Sequence, residues 1–220
     1  MTAMMTLLNP EFFATYLVAA CIVIAAPGPD SMNTLAIGMA RGSREGVAYA
    51  VGVGIGCLTH TLWAVLGISA IVAASETLFG VVKWVGVAYL LWLGVQSLRD
   101  RRGPHAAVEA GAPARTSSGV SDRVLQGVLT NALNPKVMLF FMAFLPQFTD
   151  PRLGAVGAQM FVMGLAFAVI TTAAYALLGA GAGRVGERLL RKPSIAQRLN
   201  RATGVLFIAL ALRLMLAERA

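Results

Sequence analysis

Asp30 and Lys136 each follow a proline inside a long apolar run. The first stands in Ala26-Pro27-Gly28-Pro29-Asp30 and the second in Asn131-Ala132-Leu133-Asn134-Pro135-Lys136. An ionised side chain at the centre of a bilayer costs about 2.5–3.5 kcal/mol on insertion scales and more by simulation, so partners or function must offset it. The chemistry on offer is a carboxylate that can hold a proton or a cation, and an ammonium that can hold an anion. Asn33, Asn131, Asn134 and Gln147 are candidates for further hydrogen bonds beside them.

The prolines decide how those groups are presented. Pro27 and Pro29, with Gly28 between them, supply no backbone donors and clash with preceding carbonyls, so a helix through this segment is broken there. Asp30, Ser31 and Asn33 then fall in the first turn of the helix that restarts, next to free amides and the positive dipole end. In the second motif Asn134 is a good cap and Pro135 suits the first helical position. Aligning Pro29 with Pro135 sets Asp30 opposite Lys136, and the two charges are expected to approach each other near mid-membrane. A buried ion pair that only holds two halves together is the plainer alternative. Discontinuous helices at corresponding positions of two halves mark a transport site in membrane carriers.

The elements that must carry these motifs are membrane spans. The 220 residues are 57% hydrophobic and 13% charged, with a mean hydropathy of +0.72; soluble domains run at roughly 25% charged. Apolar runs near spanning length lie at about 12–37, 47–74, 78–98, 124–148, 153–182 and 202–217. Lipid cannot satisfy a free amide, so the runs are expected to be helices; the alternation of an outer-membrane barrel is absent. The expected fold is an all-α integral membrane protein with six transmembrane helices, arranged as two inverted three-helix repeats whose first and fourth helices are broken. The first repeat covers about 10–98, a cytoplasmic linker about 99–122, and the second repeat about 123–217, all within one transporter domain.

Basic residues set the orientation. The loops around Arg41, around Arg99 to Arg123 and around Arg184 to Arg201 hold two, five and six Lys or Arg, which places them in the cytoplasm and both termini outside. The net charge of +8 therefore belongs to membrane loops, and no nucleic acid is expected as a partner. No removable signal peptide is expected, since no Lys or Arg precedes Arg41. Arg213 and Lys83 are expected to snorkel towards the boundaries.

Other candidates carry less. His60, flanked by Thr59 and Thr61, offers either a proton relay or a hydrogen bond in a helix interface. Cys21 and Cys57 lack metal-ligand or disulfide spacing. Gly52 and Gly56, and likewise Gly179 and Gly183, suit close helix packing; Trp63, Trp84 and Trp92 are interface anchors or core. With His60 and His105 the only histidines, an enzyme, a metal site or a bound cofactor is not expected. A passive channel and an exporter of a metal or other small ion are the rival functions.

Pro27-Gly28-Pro29-Asp30, with Asn134-Pro135-Lys136, Leu139-Phe140-Phe141 and Phe144-Leu145-Pro146-Gln147-Phe148, resembles the lysine exporter and homoserine/threonine resistance family (LysE/RhtB type) of bacterial amino-acid effluxers. The similarity covers nearly the whole chain: length, span count, basic central loop and both motifs in order. The resemblance implies an exporter in the bacterial cytoplasmic (inner) membrane that moves amino acids or close derivatives, driven by the proton-motive force. Its partners are then a small-molecule substrate, protons and the lipid bilayer; a homo-oligomer is compatible with the sequence. For a zwitterion, the half-helix start at Asn134 and Pro135, helped by Lys136, would take the carboxylate and Asp30 the ammonium. Asp30 is also the candidate proton carrier, because burial and a nearby lysine act on it in opposite senses and leave its charge responsive to substrate.

Overall fold

The computed structural model describes residues 7–68, 76–99, 119–184 and 193–216, and all regular structure among them is helical. Asn9 starts α1 (Pro10–Ala25): its side chain accepts from the amides of Glu11 and Phe12, and Pro10 fills the first position. The helix stops at Ala26, which is extended, and restarts after an extended Gly28 as α2 (Pro29–Arg41). The Ser31 hydroxyl accepts from the Gly28 amide and donates to the Gly28 carbonyl, tying the new helix start to the break. The two pieces are bent by 52°.

The second break has the same cause and a similar angle. α5 (Val120–Ala132) ends at Leu133, Asn134 caps the next helix by accepting from the Lys136 amide, and Pro135 opens α6 (Pro135–Leu139). α6 continues as a π turn over Phe140–Phe144 and a 3-10 turn over Leu145–Phe148, and this pair is bent by 49°. The remaining elements are α3 (Ser43–Trp63, prolonged by a π turn Ala64–Ile68), α4 (Glu76–Arg99), α7 (Val156–Ala180) and α8 (Pro193–Leu216).

Polar ties at the helix ends give the direction of each piece. Arg123, at the start of α5, donates to Glu45, at the start of α3, at 2.9 Å. Asn9, at the start of α1, donates to Asp150, just after α6, at 3.1 Å. The α1–α2 pair therefore runs from the Asn9 end to the Glu45 end, and the α5–α6 pair runs back. Arg152 and Asn9 hold the Asp150 carboxyl well below the usual carboxylate range, and Gln159 clamps the Asp150 backbone from α7.

Small residues let the backbones touch where α3 crosses its neighbours. A Cβ on Gly52 would run into the Val124 carbonyl oxygen, and one on Gly127 into that of Tyr49. Gly56 faces Asn131 and Val128 on the same side, while Gly54 faces Thr172 of α7. Gly179 meets Gly46 backbone to backbone, as its type suggested; Gly183 does not join this packing, having nothing within 4 Å of a Cβ. Spacing identified the face but could not say whether a partner covers it.

Among the described residues, Ser43–Gly67 and Val156–Ala180 are long and apolar enough to cross a bilayer, and the two bent pairs raise the number to four if each is one span. α4 and α8 are 24 residues long each. α8 starts nine residues before its apolar run because Pro193 can open a helix and Arg198 and Arg201 extend its first turns on the solvated side. Most of the linker and of the third basic loop lie outside the described residues, as does His105. Trp63, Trp84 and Trp92 are all more than half exposed, hence at the surface and not in the core. Arg213 lies over the Phe148 ring, 5.5 Å from its centroid.

The glycine crossing makes a specific prediction. Gly52→Ala puts a methyl group against a backbone carbonyl that cannot swing away, at a cost of about 1–3 kcal/mol. Thermal unfolding in detergent is expected to show a clearly lower midpoint for Gly52→Ala, whereas Gly183→Ala, with open space around it, leaves the midpoint unchanged or raised.

Candidate functional site

Asp30 is the second residue of α2 and only 1% exposed. Its Oδ2 accepts two hydrogen bonds, from Asn131 Nδ2 and Asn134 Nδ2, each 2.8 Å long. Those asparagines stand on either side of the second break, one in the last turn of α5 and the other capping α6. A single oxygen of the first bent pair thus grips both edges of the gap in the other.

The asparagines are held in turn. The Asn134 amide nitrogen donates to the Asn131 carbonyl at 2.8 Å, and Asn134 Oδ1 accepts from the Lys136 backbone at 3.0 Å. His60 Nε2, from α3, lies 2.8 Å from the Asn131 carbonyl oxygen. A carbonyl can only accept, so that nitrogen carries the hydrogen. Of the two roles open to His60, this bond is the interface one, and it anchors a residue that touches Asp30.

Lys136 takes a different partner from the one its alignment suggested. Its ammonium nitrogen forms no salt bridge with Asp30, unlike the Arg123–Glu45 and Arg152–Asp150 pairs. The Lys136 ammonium donates instead to the carbonyls of Val23 at 3.1 Å and Ala26 at 2.9 Å. The reason is local: α1 ends at prolines, so its last carbonyls have no amide to receive, and a cation suits the negative end of a helix. Gly28 leaves the passage for it, since a Cβ there would lie 2.9 Å from Lys136 Nζ. Tyr175 of α7 covers the intervening carbonyl, donating to Ile24 at 2.9 Å.

The other sequence candidates stand apart from Asp30. Asn33 Nδ2 donates to the Tyr49 hydroxyl at 3.1 Å. Gln147 lies in the 3-10 turn after α6, with its Nε2 buried and unpartnered. Pro27, Gly28, Pro29 and Pro135 act through the backbone. Tyr49 and Tyr175 went unremarked in the sequence; a phenol in an apolar run needs a hydrogen-bond partner when buried, which is the signal that points to them.

The arrangement leaves one carboxyl oxygen saturated and the other open. Asp30 Oδ1 and Asn131 Oδ1 are both buried without a partner. Such a carboxyl can accept a proton or the N–H of a cation at Oδ1 without disturbing the bonds at Oδ2.

Known proteins resemble this chain at the level of the family. The model for the LysE type translocator matches residues 21–218. An uncharacterized membrane protein of Vibrio cholerae is 35% identical, over 92% of this chain and 96% of its own. A leucine efflux protein of Klebsiella pneumoniae is 32% identical, over 92% and 93%, and one of Enterobacter sp. is 31% identical, over 92% and 94%. No solved structure matches the chain. With both helix breaks inside the matched region and relatives aligned along almost its full length, the chain belongs to the LysE type translocator family.

Proposed function

We propose that this chain is a secondary transporter that exports amino acids from the cytoplasm across the bacterial inner membrane by proton antiport. The observation that carries the proposal is the Asp30 carboxyl, buried where two broken helices meet and bonded to Asn131 and Asn134 through one oxygen only. A carboxyl that can hold either a proton or the substrate ammonium, but not both, exchanges one for the other. Such mutual exclusion on a shared group is the simplest physical basis for antiport. The leucine efflux relatives support an aliphatic amino acid as the solute.

In this mechanism Asp30 receives the ammonium group. Lys136 has two of its three hydrogens on the carbonyls of α1, and the third, with the start of α6, meets the substrate carboxylate. The opposed directions of the two bent pairs support a pseudo-two-fold relation between the halves, with six spans and both termini outside. Alternating access is then a rocking of one half against the other about the shared site. Asn33 and Gln147 are second-line hydrogen-bonding groups that such a movement would bring into play.

Two measurements test this reading. In proteoliposomes, Asp30→Asn keeps the shape but loses the exchangeable charge, and hydrogen bonds to a charged group contribute about 1.5–3 kcal/mol. Leucine flux driven by a pH gradient is expected to fall by about 10- to 100-fold; wild-type flux in this variant contradicts a coupling role for Asp30. Lys136→Met leaves the Val23 and Ala26 carbonyls without their donor, at roughly 1–3 kcal/mol each. Both the unfolding midpoint and the flux are expected to drop. An unchanged midpoint with a raised KM would assign Lys136 to the substrate alone.

A further inference from the structure

Pro135 removes more than a helical turn. In an unbroken helix the amide at this position would donate to the carbonyl four residues earlier, that of Asn131, and proline has no N–H to give. The Asn131 carbonyl has two donors all the same. The Asn134 backbone amide reaches it at 2.8 Å, and His60 Nε2 reaches it at 2.8 Å from α3, outside both broken helices. A carbonyl oxygen has two lone pairs, so this one is fully occupied.

That carbonyl belongs to a closed circuit. Asn131 Nδ2 and Asn134 Nδ2 both donate to Asp30 Oδ2, and the Asn134 backbone amide returns to the Asn131 carbonyl. The circuit is made by the two broken helices, and His60 ties it to α3. α3 is shaped for the tie. His60 is 2% exposed, and its ring lies 5.9 Å from that of Phe141, centroid to centroid. One turn earlier on the same helix face, Gly56 lets α3 close on Asn131: a Cβ there would lie 2.7 Å from Asn131 Cβ and 3.0 Å from its Oδ1. Two residues of α3 thus address one asparagine, one by a donor and the other by the lack of a side chain. A bond that merely joined helices could end on any free carbonyl; this one ends on a residue that orients the Asp30 carboxyl.

We propose that His60 is a positioning residue of the transport site: by holding the Asn131 carbonyl it fixes the two asparagine amides on Asp30 Oδ2, and so sets the direction in which Oδ1 is offered to the solute. It acts through Asn131 and touches neither the solute nor the transported proton. The inference rests on the amino-acid export reading above. It adds an unbroken helix, α3, to the elements that determine affinity. A proton relay through the imidazole is the opposing account, and the variants below separate the two.

The experiment uses the full chain in proteoliposomes with labelled L-leucine, as wild type, His60→Gln and His60→Leu. Glutamine carries an amide N–H to the region of the imidazole Nε2 and cannot shuttle a proton; leucine fills space and donates nothing. His60→Leu is expected to raise the leucine KM about 3- to 10-fold, the range that one neutral hydrogen bond supports, with kcat little changed. Its unfolding midpoint is expected to stay near wild type, because the Asn131 carbonyl keeps the Asn134 donor. His60→Gln is expected to restore the KM and to keep the wild-type flux under a pH gradient. In infrared spectra the band lost in Asp30→Asn is expected to shift in His60→Leu and to return in His60→Gln. Should His60→Leu not fold, His60→Asn takes its place, its amide being too short to reach the carbonyl. If wild type carries leucine and the variant without the donor keeps both KM and band, the positioning role is wrong while the export reading stands. If His60→Gln keeps the KM but loses the flux driven by the pH gradient, the imidazole is a relay and the proposal is overturned. If wild type carries no amino acid, the export reading falls and the Asp30 band decides: unmoved without the donor, it overturns the positioning role; shifted there and restored in His60→Gln, it supports it.

Discussion

A carboxylate in the middle of a membrane protein must be held by something that does not cancel it. Here the holding is done by two neutral amides on a single oxygen, Asn131 and Asn134 on Asp30 Oδ2, and not by the only lysine of the motif. A direct ion pair would saturate the carboxyl and oppose exchange with a solute, because separating buried opposite charges is costly. Amide donors satisfy one oxygen and leave the other available. The asymmetry between Oδ2 and Oδ1 is what the rest of the site depends on.

The cation does its work one turn away. By capping the carbonyls at the end of α1, Lys136 makes the first break tolerable, while Tyr175 closes the carbonyl between them. Each half thus supplies what the other lacks: the second half caps the broken end of the first, and Asp30 of the first half ties the broken edges of the second. Removing either partner leaves unpaired backbone or side-chain groups at a depth where water is not available to replace them. The breaks are stable because they are reciprocal.

Much of this was legible in the residues. Proline chemistry is local, so the positions of both breaks, the cap at Asn134 and the burial of Asp30 followed from short motifs, and Gly52 and Gly56 announced a close helix crossing. The target of Lys136 was not legible, since an alignment of motifs says which residues correspond but not where a long side chain reaches. His60 was ambiguous for a similar reason, because its partner is the backbone carbonyl of a residue 71 positions away. Length and apolarity suggested six spans; among the described residues two helices, and up to four if each bent pair is one span, are long and apolar enough to cross.

The central claim is that solute reaches the Asp30 carboxyl itself. Infrared difference spectroscopy on the reconstituted protein, recorded as leucine is added, observes that group directly. The account predicts a change in a carboxyl band on leucine addition that is absent in Asp30→Asn. A carboxyl spectrum that leucine leaves unaltered, in a preparation that transports leucine, would contradict it.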